Sequence, residues 1–184
     1  MILPVSERGH FVATMRHTNV WLMETLAAWV PTSPEMEVKL LFGEHIWDVA
    51  QHADELGKRT FELRMALQES HQPSAAYLAL LAETRATSPT PMRLACVYDL
   101  MLPALTRRYQ SYLDRTDTLA DAPTVRILER HLTDMRRMIA MSNELRNEHP
   151  GTRLAEVAQI QELVGREAGI DMLAPIPAVH RAAA

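Results

Sequence analysis

The 184-residue chain has a single cysteine, Cys96, and no apolar run close to the roughly 20 residues of a membrane-spanning helix. One cysteine cannot form an internal disulfide, which favours a reducing compartment. The N-terminus also lacks a charged segment followed by an apolar run, so no secretory signal is predicted. We therefore expect a cytoplasmic protein with no membrane partner.

The sequence has no excess of positive charge. Its net charge is −4 and its pI is near 6.1. The basic pairs Arg107-Arg108 and Arg136-Arg137 are too small to attract a phosphate backbone. A nucleic-acid partner is not expected.

Glycine is scarce, with six residues, whereas methionine is abundant, with eleven. This mixture favours helices whose packing gaps are filled by flexible methionine side chains. No stretch shows the alternation of apolar and polar residues that marks a strand. The length suits one domain with a sizeable core and the chain has no linker, so residues 1–184 are predicted to form a single all-α domain.

Proline, glycine and capping residues divide the chain into predicted helices. Ser33 is expected to cap the second helix, with Pro34 at its first position, and Ser74 is expected to cap the short helix that follows. Pro103 is expected to kink the third long helix. Residues 1–10 are predicted to form a loose N-terminal arm, and residues 170–184 an extended tail with two prolines. The predicted helices cover residues 11–29, 34–67, 74–86, 91–114, 123–147 and 152–168.

The second helix carries polar residues on its apolar side. At about 100° per residue, His45, Asp48 and His52 fall inside or at the edge of the stripe that contains Val38 and Val49. Buried imidazoles and carboxylates need partners. They form a hydrogen-bonded network, or they bind a metal such as Fe(II), Mn or Zn. By contrast, the outer face of this helix, which includes Glu55 and Arg59, is expected to be solvated.

The fourth long helix repeats this feature. His131 lies in the centre of its apolar stripe and Asp134 at the edge, three residues later, as in His45-x-x-Asp48. Tyr98, on the third long helix, also faces inward. It is either a core aromatic or a proton or electron donor beside a metal.

Two stretches, EHIWDVAQHADELGKRTFELR and DAPTVRILERHLTDMRRMI, resemble the second and fourth helices of the ferritin-like superfamily. The resemblance implies a four-helix bundle, here with one or two additional short helices, and a di-iron or di-manganese centre. Glu24 and His52 match ligand positions of the family. Val49 stands where a ligand Glu is expected, and Met135 and Met138 replace the second Glu-x-x-His pair. The inherited ligand set is therefore incomplete.

Two functions follow as hypotheses. In the first, a rebuilt iron or manganese site makes the protein a non-haem oxidoreductase acting on a small molecule, with Tyr98 as catalytic residue. In the second, the bundle holds no metal or other cofactor and serves as a binding or assembly module, expected to be a homodimer. A DinB-like bundle, in which three His on two helices bind one divalent metal, is a further alternative. The predicted metal ligands are Glu24, His45, Asp48, His52 and His131.

Overall fold

A computed structural model of the protein describes residues 3–149 and 154–173. Over these residues the chain is helical and contains no strand, which confirms the all-α prediction. No helix in the described ranges is both long and apolar enough to cross a bilayer. The helices are α1 (Val5–Trp29), α2 (Met36–Glu62), α3 (Ala75–Arg85), α4 (Thr90–Ala95), a π segment (Cys96–Met101), α5 (Leu102–Leu113), α6 (Ala122–Glu148) and α7 (Leu154–Ala168).

Helix α1 begins at Val5, after an extended Pro4, and not near Phe11. The predicted loose arm is therefore corrected for residues 5–10, while residues 1 and 2 lie outside the described ranges. Gly9 lies inside this helix, at a point of close packing. A Cβ atom at that position would collide with the side chain of Met65.

Helices α1 and α2 pack antiparallel. Trp29 at the end of α1 contacts Phe42, with ring centroids 6.0 Å apart. At the opposite end of the pair, Arg16 lies against Gly57, where a Cβ atom would find no room. The prediction that Ser33 caps α2 is wrong. Its hydroxyl instead donates to the carbonyl of Trp29, 2.9 Å away, and so closes the end of α1.

The third long helix runs from Thr90 to Leu113 but changes its winding in the middle. The π segment ends two residues before Pro103, the site of the predicted kink. Proline has no N–H to donate, and its ring clashes with the carbonyl four residues earlier in a regular helix. A wider turn at this point relieves that clash. It also fixes the directions of Tyr98 and Asp99, which both belong to the π segment.

Helices α2 and α6 also pack antiparallel, and a buried ion pair joins them at one end. Arg59 donates to Asp121 at 2.9 Å and to Thr124 at 2.7 Å. Tyr112 and Thr116 donate to the second oxygen of the Asp121 carboxylate. Arg59 is itself buried, so the prediction that it belongs to a solvated face is wrong. The ion pair fixes the register of α2 against α6, and with it the positions of the core histidines.

The chain leaves helical structure after Ala168. Ser74 caps α3 as predicted, and its backbone N–H and hydroxyl donate to the carbonyls of Met172 and Asp171. Met172 is buried. Residues 170–173 are thus non-helical and packed on the helices, whereas residues 174–184 of the predicted tail lie outside the described ranges.

Replacing Asp121 with Ala should lower the free energy of unfolding by about 3–5 kcal/mol, because buried Arg59 would lose its buried counterion and keep only the exposed Glu62. Chemical denaturation at pH 7 measures the loss. Asp114→Ala is the matched control. Asp114 is exposed and accepts one hydrogen bond from Gln110, so its loss should change stability by no more than about 0.5 kcal/mol. Equal effects of the two substitutions would contradict the structural role of the ion pair.

Candidate functional site: the histidine core between α2 and α6

The five predicted metal ligands are not brought together. Glu24 lies on the surface of α1, with 54% of its side chain exposed, and its carboxylate is 3.8 Å from Arg85. Glu24, predicted as a metal ligand, therefore lies outside the histidine core. Asp48 is also near the surface, where Arg137 donates to it at 2.8 Å.

His45 and Tyr98 form the first buried pair of the core. The Nδ1 atom of His45 and the hydroxyl of Tyr98 are 2.7 Å apart, and both residues are almost fully buried. Burial raises the pKa of Tyr98 well above its ordinary value of 10, so the phenol keeps its proton. Burial also lowers the pKa of His45 to about 4. The pair is therefore neutral at pH 7, and the arrangement lets the phenol donate to the imidazole.

His52 and His131 form the second buried group, two turns of α2 away. Their rings are stacked, with centroids 3.9 Å apart and an angle of 23° between the planes. Each Nε2 atom lies beside a carboxylate of the facing helix. His52 is 3.2 Å from Asp134, and His131 is 2.8 Å from Glu55. These contacts place the ring proton on Nε2, since a carboxylate only accepts.

Burial is the first cause that lowers the pKa of both stacked histidines. For His52, the hydrogen bond to Asp134 opposes the effect of burial without overcoming it. For His131, the neighbouring His52 ring and Arg130 lower the pKa further, while the carboxylate of Asp134 works against them. We assign both rings as neutral at pH 7. Two stacked cations at this distance would repel each other strongly.

Each of the three histidines leaves one ring nitrogen buried without a hydrogen-bond partner among the described residues. These atoms are Nε2 of His45 and Nδ1 of His52 and His131. On His52 and His131, a carboxylate on one ring nitrogen and a free lone pair on the other is the arrangement that metal-binding histidines have. Neutral His45 accepts from Tyr98 at Nδ1, so its unpartnered Nε2 carries the proton. The core therefore has the donor chemistry of a metal site, and its geometry decides whether one ion fits.

The geometry does not fit one ion. His45 and His52 are seven residues apart on one helix, about 10 Å along its axis, so they cannot share a metal. A metal lies in the plane of each imidazole that binds it, about 2.0–2.1 Å from the nitrogen. The nearly parallel planes of His52 and His131 have no such common point. Within the described residues, no three His, Cys, Asp or Glu side chains are placed to hold an ion.

The repeated His-x-x-Asp spacing has a different meaning from the one its sequence suggests. Neither histidine bonds to the Asp three residues after it. Asp134 of α6 contacts His52 of α2, and Asp48 of α2 contacts Arg137 of α6. The repeat therefore contributes polar contacts between the helices.

Three residues that sequence reasoning missed complete this core. Glu55, assigned to the solvated face, is only partly exposed and accepts from His131. The ring centroids of Tyr109, on α5, and His131 are 6.0 Å apart. Asn19 of α1 donates to the hydroxyl of Tyr109 at 2.8 Å. The spacing His52-x-x-Glu55 on one helix was the available signal for Glu55. Asn19 and Tyr109 had no local signal.

No protein-family model matches this chain, and neither the curated proteins nor the solved structures include a significant match.

The buried neutral histidines should make the protein sensitive to acid. His45 has a pKa near 6.5 in the unfolded chain and about 4 in the folded one, so between these values only the unfolded chain takes up its proton. The unfolding free energy should fall as pH drops through this window, by about 1.4 kcal/mol per pH unit for one such histidine. His52 and His131 contribute with the same sign.

Denaturant unfolding at pH 7, 6 and 5 measures this dependence. His45→Gln should flatten the curve by about one proton, and the exposed Gln51→Ala on the same helix should leave it unchanged. Parallel curves for the natural chain and the His45 variant would show that His45 is not held neutral by burial.

Proposed function

We propose that the protein is a ferritin-like four-helix bundle whose core histidines form a hydrogen-bonded network, and that it works as a homodimeric assembly module. The observation that carries this proposal is an apolar face of α2 whose large side chains are mostly exposed. Met36, Leu40 and Trp47 lie on this face, with 61%, 68% and 67% of their surface exposed. We call these residues, together with Gly43, the α2 face.

The spacing of the α2 face is that of a helix–helix contact. Steps of four, three and four residues separate Met36, Leu40, Gly43 and Trp47, as the a and d positions of a heptad do. The space around Gly43 is open, with no atom within 4 Å of the position of a Cβ atom. A second helix can approach closely at that point. An exposed apolar patch on one helix face marks an interaction surface.

Charge on the two edges of the α2 face favours a second copy of the chain, related by a parallel two-fold axis. With Leu40 at position a, Lys39 is at position g and Glu44 at position e. In a parallel pair, the g residue of one helix meets the e residue five positions later on the other. Lys39 of each copy would therefore meet Glu44 of its mate, twice per dimer. Glu44 is exposed, and its ion pair with Arg137 of its own chain is long, at 3.6 Å.

Sedimentation equilibrium tests the proposal. The natural chain is expected at twice its 20.8 kDa mass, and Leu40→Glu should give 20.8 kDa, because it places a charge in the contact. The control Leu119→Glu adds the same charge at an 88% exposed leucine away from α2 and should stay dimeric. A natural chain that sediments as a monomer at about 100 μM would end the proposal.

Charge exchange tests the parallel arrangement separately. Lys39→Glu and Glu44→Lys should each weaken the dimer by placing like charges together, and the double variant should restore it. In an antiparallel pair the double variant would not restore the dimer, because Lys39 of one copy and Glu44 of the other then lie on different edges of the contact. A dimer that Leu40→Glu leaves intact would assign association to another surface.

The second candidate function is a non-haem oxidoreductase with iron or manganese in the core. The observation that favours it is the unpartnered Nδ1 atom, with its free lone pair, on each of His52 and His131. Binding requires His52 and His131 to leave their stacked arrangement, because their ring planes do not meet at one ion.

Elemental analysis of the protein purified without chelator and without a metal column tests the second candidate. About one iron or manganese per chain in the natural protein, lost in His52→Ala, would establish a site. His17→Ala, which removes a histidine of α1 from outside this core, is the control and should retain the metal. A metal content near zero in the natural protein and in both variants, all of them folded, would contradict this candidate and indicate that the histidines are structural.

A further inference from the structure

We infer that a cavity between α4, the start of the π segment and the end of α6 is a binding site for a small zwitterion, an α-amino acid with its carboxylate and ammonium groups. This inference is independent of the proposed dimer and of the core histidines. The cavity has a volume of about 360 Å³, at the small end of the range for ligand sites. Its size therefore suits a compact molecule.

The two walls of the cavity differ in chemistry. Pro91, Leu94 and Ala95, all on α4, form an apolar wall. Asn143 and Arg146, with Asn147, form a polar wall on α6. A ligand in this space would meet aliphatic surface on one side and amide and guanidinium groups on the other.

Charges of both signs lie side by side in the cavity. Asp99 projects from the π segment and accepts a hydrogen bond from the guanidinium of Arg146. Arg146 also lies 3.4 Å from the amide oxygen of Asn143. Helix segments of π type are enriched at functional sites. Here the π segment directs Asp99 to the cavity while the preceding residue, Tyr98, contacts His45 in the core.

The paired charges decide the class of ligand. A guanidinium binds a carboxylate through two parallel hydrogen bonds, and a carboxylate binds an ammonium group. An α-amino acid can replace both partners of the Asp99–Arg146 pair and leave neither charge without a counterion. A simple anion would take Arg146 from Asp99, and a simple amine would take Asp99 from Arg146. The apolar wall favours an aliphatic side chain on the ligand.

Titration calorimetry with three matched probes tests this inference. L-leucine carries both charged groups, 4-methylpentanoate lacks the amine, and 3-methylbutylamine lacks the carboxylate. L-leucine should bind with a Kd of about 1 mM or tighter, at least about tenfold more tightly than either analogue. Equal binding of 4-methylpentanoate would make this a plain anion site and overturn the inference, as would the absence of binding by L-leucine.

Two substitutions locate the binding. Arg146→Gln and Asp99→Asn should each weaken L-leucine binding at least about tenfold, because each removes one of the two charge contacts. The control Arg166→Gln breaks an ion pair of similar exposure, with Glu83, outside the cavity and should not change the affinity. Melting curves confirm that the variants are folded. Unchanged affinity in both cavity variants would place the binding elsewhere and overturn the inference.

Discussion

The structure depends on one constraint, which is that the polar groups buried between α2 and α6 need partners within the protein. Burying an ionised or hydrogen-bonding group without a partner costs more than most single apolar contacts contribute. The chain meets this requirement in two ways. Arg59 and Asp121 form a buried ion pair. His52 and His131 each donate a hydrogen bond to a carboxylate at the edge of the facing helix.

This pairing explains why the core has metal-type donors without a metal-type geometry. The carboxylates of Asp134 and Glu55 lie on the Nε2 side of the rings, where they orient the histidines. The Nδ1 atoms of His52 and His131 lie on stacked rings, and the nearly parallel ring planes have no common point at which both could bind one ion. The histidines therefore stabilise the contact between the two helices in the arrangement described here, and both proposed interactions lie outside this core.

The sequence predicted features that depend on neighbouring residues along the chain. The helical composition, the cap at Ser74, the disturbance near Pro103 and the inward direction of His45, His52 and His131 all follow from local spacing. Glu24 and Arg59 were misplaced because a charged residue near the edge of an apolar stripe can turn either way. Contacts from Arg85 and Asp121, which are distant in sequence, decide between the two directions.

By itself the sequence determined that the protein is helical and that three histidines enter its core, because helix periodicity is set by the 3.6-residue turn. Only the tertiary structure decided what those histidines meet. The register between α2 and α6 pairs His52 with Asp134 and His131 with Glu55, and the π segment turns Tyr98 to His45. Pairing between helices depends on distances in space, and the spacing of residues along one helix contains no measure of those distances.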